Sequence, residues 1–290
     1  MDRAKTLACL ILAVLLTGAG CSRRPRIVVG SKNFTEQVLL GEILAQQIER
    51  RLHIAVEHKL DLGGTLLTHE ALVKGSIDLY PEYTGTALAA ILKQAPGGDA
   101  AAVLGRVRAA YLQWHLVWLD PLGFNNTFAM MIRGETARRD GVRNLSEAAR
   151  LRPWRLGAGY EFQSRADGLD GLLRAYPLRL EGKPVAMDLG LLYPALQNRN
   201  VDMIAANSTD GLAAVLDVKI MDDDRRYFPP YQCAVVARQD TLARFPRLRA
   251  ALEELSGKLP DDTMRRLNYE VDAKHRSVVE VAAAFLKDVP

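Results

Sequence analysis

Residues 26–48 read RIVVGSKNFTEQVLLGEILAQQI, and this stretch decides the fold class. Ile27, Val28 and Val29 form a β-branched run closed by Gly30, the composition of a short strand. Ser31, Lys32 and Asn33 then lead into apolar residues at Leu40, Ile43, Leu44 and Ile48, a spacing that places them on one face of a helix. Strand, short loop and helix in that order open a βαβ unit. The pattern repeats downstream. Residues 54–60 alternate as a strand, Gly63-Gly64-Thr65 turns into a helix through Leu67, Ala71 and Leu72 that stops at Gly75, and residues 77–80 read as a third strand.

Helical stretches near 87–92 and over 100–116 lead to a second α/β module. It has strands at 126–132, 155–160 and 201–205, a short helix opened by Ser146 and Glu147, and a helix over 169–175. Pro229 and Pro230 precede an apolar strand at 231–237 that serves as a crossover between the modules; its start is no central ladder position, because proline lacks the donor. From Pro246 onward only helices are expected, the last with Val278, Val281, Ala282 and Phe285 on one side. Strands alternating with helices predict parallel α/β units, whose loops at the carboxyl ends of the strands gather around a ligand crevice.

Upstream, residues 1–20 carry a cationic start (Arg3, Lys5), an apolar run over 7–16 and the small residues Thr17 to Gly20 before Cys21, the layout of a secretory signal. The run is too short to span a bilayer well. Cys21 is expected to carry lipid, with residues 22–25 as a tether at the membrane surface, although Gly18 stands where a lipobox commonly has Leu. The protein is therefore expected in the periplasm or on the outer cell surface. Cys9 would leave with the signal, so Cys233 remains as a free thiol and no disulfide is available.

The 290 residues carry a net charge of only +4, with basic residues interleaved among acidic ones, which leaves no nucleic-acid footprint. His53, His58, His69, His115 and His275 have neither Cys partners nor HExxH spacing, so no metal or cofactor is expected. Asp222, Asp223 and Asp224 run straight into Arg225 and Arg226 and read as a solvated loop. No nucleophile elbow, P-loop or dinucleotide fingerprint occurs. What remains is polar and aromatic. Lys32 adds a positive charge ahead of a helix whose free N–H groups attract an anion, a place where a structural cap is the competing reading. Tyr80, Tyr83, Thr84 and Thr86 cluster after a strand, and Tyr231 follows two stiffening prolines. Their rings could wall an alkylated ammonium at about 0.5–2 kcal/mol each, with core packing the competing reading for each ring alone.

Four blocks, in order, are Gly30-Ser31-Lys32-Asn33-Phe34-Thr35-Glu36-Gln37, Leu62-Gly63-Gly64-Thr65, Asp78 to Thr86 (DLYPEYTGT) and Phe228-Pro229-Pro230-Tyr231. Together they resemble the hallmark blocks of the glycine betaine/choline/carnitine substrate-binding proteins of osmoprotectant ABC transporters. The resemblance implies a two-lobed periplasmic-binding fold of type II with two crossover strands. Its lobes would be 26–125 plus 232–290, and 126–231. It further implies a small zwitterionic or quaternary-ammonium solute, and ABC permease and ATPase partners. The family's carboxylate-binding group falls on Lys32, Thr86 and Arg165, and its aromatic box on Tyr83, Phe128, Asn207 and Tyr231, with Asn126 nearby. Phe128 and Asn207 stand where many betaine-binding members have Tyr, so a four-tyrosine cage is absent. A different amino-acid-like solute such as ergothioneine, and a sensory module that presents ligand to a receptor, are the alternatives. An enzyme of hydroxymethylbilane-synthase-like fold, with Cys233 as its cofactor thiol, is disfavoured by export and by the lack of an arginine cluster.

Overall fold

A computed structural model describes residues 26–95 and 97–289. The signal expected at 1–20, the acylated Cys21 and the tether at 22–25 lie outside these residues. The strands are β1 (Ile27–Gly30), β2 (Val56–Lys59), β3 (Leu79–Tyr83), β4 (Leu116–Asn125), β5 (Phe128–Arg133), β6 (Leu156–Ala158), β7 (Val185–Ala186), β8 (Met203–Asn207), β9 (Val218–Ile220) and β10 (Gln232–Arg238). They form two five-stranded sheets, ordered β2-β1-β3-β10-β4 and β7-β6-β8-β5-β9. In the first, β1 runs parallel to β2 and β3, while β10 is antiparallel to β3 and β4. In the second, β6 is parallel to β7 and β8, and β5 is antiparallel to β8 and β9. The chain leaves the first sheet through Asn126 and Thr127 and returns between β9 and β10, so two crossovers join two lobes.

The first helix, Thr35–Leu52, follows the apolar spacing read from its sequence. Leu39, Leu40, Ile43, Leu44 and Ile48 are at most 1% exposed, and they share a core with Ile27 and Val29 of β1 and with Val281, Ala282 and Phe285 of the C-terminal helix. Each such side chain contributes roughly 1.5–3 kcal/mol on burial, which makes this seam the main fastening of the C-terminal helix to the first lobe. That helix is capped where Ser277 accepts from the Glu280 backbone N–H. The second lobe has its own core around Met130, Ile132, Trp154, Leu156, Leu172 and Tyr176.

Several elements depart from the sequence expectation. The helix expected to run to residue 116 ends at Tyr111; His115 takes a left-handed φ of 56°, and β4 begins at Leu116. β4 contains Pro121 and Gly123, and its register against β10 shifts twice, so no clean period-two alternation marks it as a strand. β3 runs on through Pro81 and Glu82 to Tyr83. Beyond Leu79 it no longer pairs with β1, and a strand with a partner on one side only tolerates proline. The short strands β7 and β9 carry too few residues to show a period. The helix Leu145–Ala149 is capped by Asn144, whose side chain accepts from Glu147 N, and not by Ser146. Within the acidic run, Asp223 is structural: it accepts from the Tyr176 hydroxyl and from the backbone N–H groups of Tyr227 and Phe228, and so shapes the return crossover.

The loop after β8 docks on the helix Asp261–Asp272 of the other lobe. Arg265 donates to the Ser208 carbonyl, and a Cβ at Gly211 would overlap the backbone of Asn268 and Tyr269. Gly190, at the start of the helix Leu189–Gln197, has open space where its Cβ would lie. Two alanine substitutions should therefore act with opposite sign. Gly211→Ala should destabilise by about 1–3 kcal/mol through overpacking, and Gly190→Ala should stabilise by about 0.5–1 kcal/mol. Urea midpoints of the two variants measure this, and equal shifts would contradict the packing described.

Candidate ligand-binding cleft

A cleft of about 860 Å³ lies between the lobes, and all eight residues singled out in the sequence line it. Lys32, Tyr83 and Thr86 come from the first lobe, Asn126 from the outgoing crossover, Phe128, Arg165 and Asn207 from the second lobe, and Tyr231 from the start of β10's approach. β3 sets Tyr83 directly opposite Cys233, and β5 sets Phe128 opposite Asn207, so strand register alone fixes three of these positions.

Arg165 is the centre of the cleft's polar side. It ends the helix Tyr160–Ser164, is 8% exposed, and gives Nε and Nη2 to the two oxygens of Asp167 at 2.9 and 2.5 Å. Its Nη1 reaches across the lobes to the Thr86 hydroxyl at 3.2 Å. Burial works to depress its pKa, but the Asp167 carboxylate outweighs burial and holds the guanidinium charged. Tyr231 donates its hydroxyl to the same Asp167 at 2.6 Å. The guanidinium also faces the Phe128 ring at 4.8 Å and the Tyr231 ring at 5.9 Å. Three of its five N–H donors are used in these bonds, and its Nη1 also lies 3.6 Å from the Glu161 carboxylate.

The structural cap that competes for residues 31–33 does not form. The first helix is preceded by Phe34 without a side-chain cap, and Ser31 instead bonds the Lys32 carbonyl and the Asp61 N–H. Lys32 Nζ turns inward to Glu82 at 2.6 Å and to Thr65 Oγ1 at 3.1 Å. Glu82 is fully buried, and Lys32 forms its ion-pair partner. A second carboxylate, Glu161 of the other lobe, sits on the N-terminus of the helix Thr65–Val73. It accepts from Thr65 N at 2.5 Å and from Thr65 Oγ1 at 2.8 Å. Burial alone would raise its pKa, but the Lys32 charge and the Thr65 donors together bring it below the usual carboxylate range. Glu161 and Arg165, an ion pair at 3.6 Å one helical turn apart, thus together latch the second lobe to Thr65 and Thr86 of the first.

Rings and acids line the rest of the cleft. Phe128 packs edge-on to Phe162 and Tyr231, and Phe34 stacks on Tyr83 at 6.4 Å. Below them Glu36 is buried and accepts four hydrogen bonds, from Tyr83, Asn126, Thr209 and Asn268. All four donors are neutral. Burial raises its pKa despite them. Asp210 accepts from the Asn207 backbone and side chain and from the Tyr193 hydroxyl, and burial pushes it up to about 7.

Phe34, Glu36, Glu161, Asp210 and Asn268 were not among the residues singled out. The signal for two of them was present, since Phe34 and Glu36 fall inside the block Gly30 to Gln37, whereas Glu161 lies four residues before Arg165 with no such block around it. Asp210 and Asn268 approach through a loop and a distant helix, and only the tertiary fold brings them to the cleft.

The described geometry agrees with comparison to known proteins. The sequence pattern of the substrate-binding domain of ABC-type glycine betaine transport systems matches residues 25–288. The carnitine transport binding protein OpuCC of Listeria monocytogenes is 31% identical over 277 residues, which cover 94% of this chain and 89% of that protein. The ergothioneine transport permease/ergothioneine binding protein EgtU of Helicobacter pylori is 34% identical over 265 residues, covering 90% of this chain and 47% of that longer protein. A crystal structure described as a glycine betaine/carnitine/choline ABC transporter superposes with a TM-score of 0.76 at 31% identity, covering 90% of this chain and 97% of the other. The architecture is the two-lobed periplasmic-binding-protein fold.

The buried acids predict a pH response. An unfolded carboxyl titrates near pH 4, whereas burial holds Asp210 protonated in the folded state up to about 7. Between these values the native protein binds a proton that the unfolded chain has released, so stability should fall as pH rises from about 4 to about 7 and then level off. Asp210→Asn should remove part of that slope. Urea midpoints at pH 5 and pH 8 check this, and an unaltered slope in the variant would show that Asp210 is ionised in the folded protein.

Proposed function

The chain belongs to the family of substrate-binding domains of ABC-type glycine betaine transport systems, and from that premise we propose that it captures a small zwitterionic or quaternary-ammonium solute and delivers it to an ABC importer. The observation that carries this reading is Arg165, a charged guanidinium of one lobe bonded to Thr86 of the other inside an aromatic-walled cleft. The solute's carboxylate takes the donors of Arg165 left by Asp167, together with Thr86 and Lys32. Its ammonium lies against Tyr83, Phe128 and Tyr231, each ring contributing about 0.5–2 kcal/mol when desolvated. Asn126 donates to Glu36 beneath this end.

The lobes in this scheme are 26–125 with 232–290, and 126–231. Solute that touches both makes the closed arrangement dominant, and the closed form is what the permease recognises. No covalent chemistry is involved. The protein works outside the cytoplasmic membrane, held to its surface through an acylated Cys21, with separate permease and ATPase subunits as partners.

Two results are expected. Arg165→Ala should weaken binding of glycine betaine or carnitine by about 1.5–3 kcal/mol, the scale of a hydrogen bond to a charged group, while choline, which lacks a carboxylate, should lose much less. Calorimetric titration decides this, and an equal loss for all three would mean that Arg165 only holds the lobes together. In cells, the wild-type protein should partition with membranes and Cys21→Ala should be released or left unprocessed. Equal partitioning of the two would remove the lipid anchor from the scheme.

A further inference from the structure

One wall of the cleft lacks a ring, and its chemistry is specific. Asn207 ends β8 beside Phe128 of β5, and both line the cleft. One N–H of the Asn207 amide donates to Asp210 Oδ1 at 3.3 Å, which turns the amide oxygen away from that partner. Among the described residues nothing donates to that oxygen, and Asn207 is half-buried, open to the cleft. Asp210 also lines the cleft and is only partly covered. Its carboxyl accepts three hydrogen bonds, all from neutral groups: the Asn207 N–H, the Asn207 amide and the Tyr193 hydroxyl. Its charged influence comes from Glu36, of the same sign, and no Lys or Arg pairs with either acid among the described residues.

We infer that the Asn207 amide oxygen, backed by the Asp210 carboxyl, binds a hydrogen-bond-donating N–H or O–H group of the solute, so that the preferred solute carries a donor near this wall and is not a fully methylated ammonium alone. The inference rests on the function proposed above and names the solute class within it. A methylated nitrogen has no hydrogen to offer. Placed here it would cover the Asn207 oxygen and the Asp210 carboxyl without bonding them, and a buried acceptor stripped of water in this way is costly. A donor in the same place satisfies both. Sites built to hydrogen-bond a solute group discriminate strongly against the analogue that lacks it, whereas apolar walls discriminate weakly between sizes. The rings of Tyr83, Phe128 and Tyr231 can still hold the cationic end, so the subsite adds selectivity to a site that already binds charge.

The test uses pairs of solutes that differ only in a donor. One pair is N,N-dimethylglycine and glycine betaine, with the donor on the ammonium. The other is an α-amino-acid betaine with a free imidazole N–H and its ring-methylated form, with the donor on a side arm. Titrated into ligand-free wild-type protein, the donor-bearing member of at least one pair should bind at least about tenfold tighter than its partner, the smaller end of what one such bond provides. In Asn207→Tyr, which exchanges the acceptor for a ring, that ratio should collapse toward one while glycine betaine binds more tightly. Asp210→Asn, nearly isosteric, should lower the ratio as well and guards against a folding defect in the first variant. Tighter binding of the methylated member in both pairs, or a ratio unchanged in both variants, overturns the inference while leaving the proposed function standing. Binding of none of the four solutes overturns the proposed function, and the inference falls with it.

Discussion

The site depends on one buried ion pair. Arg165 and Asp167 are two residues apart, almost wholly buried, and joined through both carboxylate oxygens. Burying a guanidinium is costly unless its charge is matched, and Asp167 matches it while taking two of its donors. Tyr231 then bonds Asp167, which ties the return crossover to the second lobe, and Thr86 bonds Arg165, which ties the first lobe to the second. Remove the pair and three separately placed elements lose their common reference. The proposed carboxylate site is thus built on a group whose position is set before any solute arrives.

Charge is distributed unevenly about this pair. Lys32 is already balanced by Glu82, and Glu161 lies on a helix N-terminus near Lys32, so the polar side of the cleft is close to electrostatic balance. The far side holds Glu36 and Asp210, bonded only by neutral donors and driven toward protonation by burial. An opposite charge within a few ångströms favours the charged form of such acids, so the positive end of a zwitterion is better accommodated on this side than beside Arg165.

Much of this was legible in the sequence where local periodicity and short motifs carry the information. The opening strand and the helix through Leu40, Ile43, Leu44 and Ile48 followed from spacing, and the blocks around Lys32, Tyr83 and Tyr231, through the family they resemble, pointed to a shared cleft. β4 was not legible, because Pro121, Gly123 and two register shifts erase its alternation. The end of β3 was hidden by Pro81, whose place in a strand makes sense only once β1 is known to part from β3 at Leu79. Partners across the lobes were hidden as well. Nothing local in Glu36 foretells Thr209 and Asn268, which lie 173 and 232 residues away. The inward turn of Lys32 toward Glu82 spans 50 residues and likewise belongs to the tertiary fold.

The central claim is that solute capture and lobe closure are one event. Small-angle X-ray scattering of the refolded, ligand-free protein, before and after saturation with carnitine or the best-binding solute, tests it most directly. The account predicts a fall in the radius of gyration on saturation, with the saturated curve matching the closed arrangement described above. Saturable binding with an unchanged radius of gyration, from a protein that is already closed without solute, would contradict it.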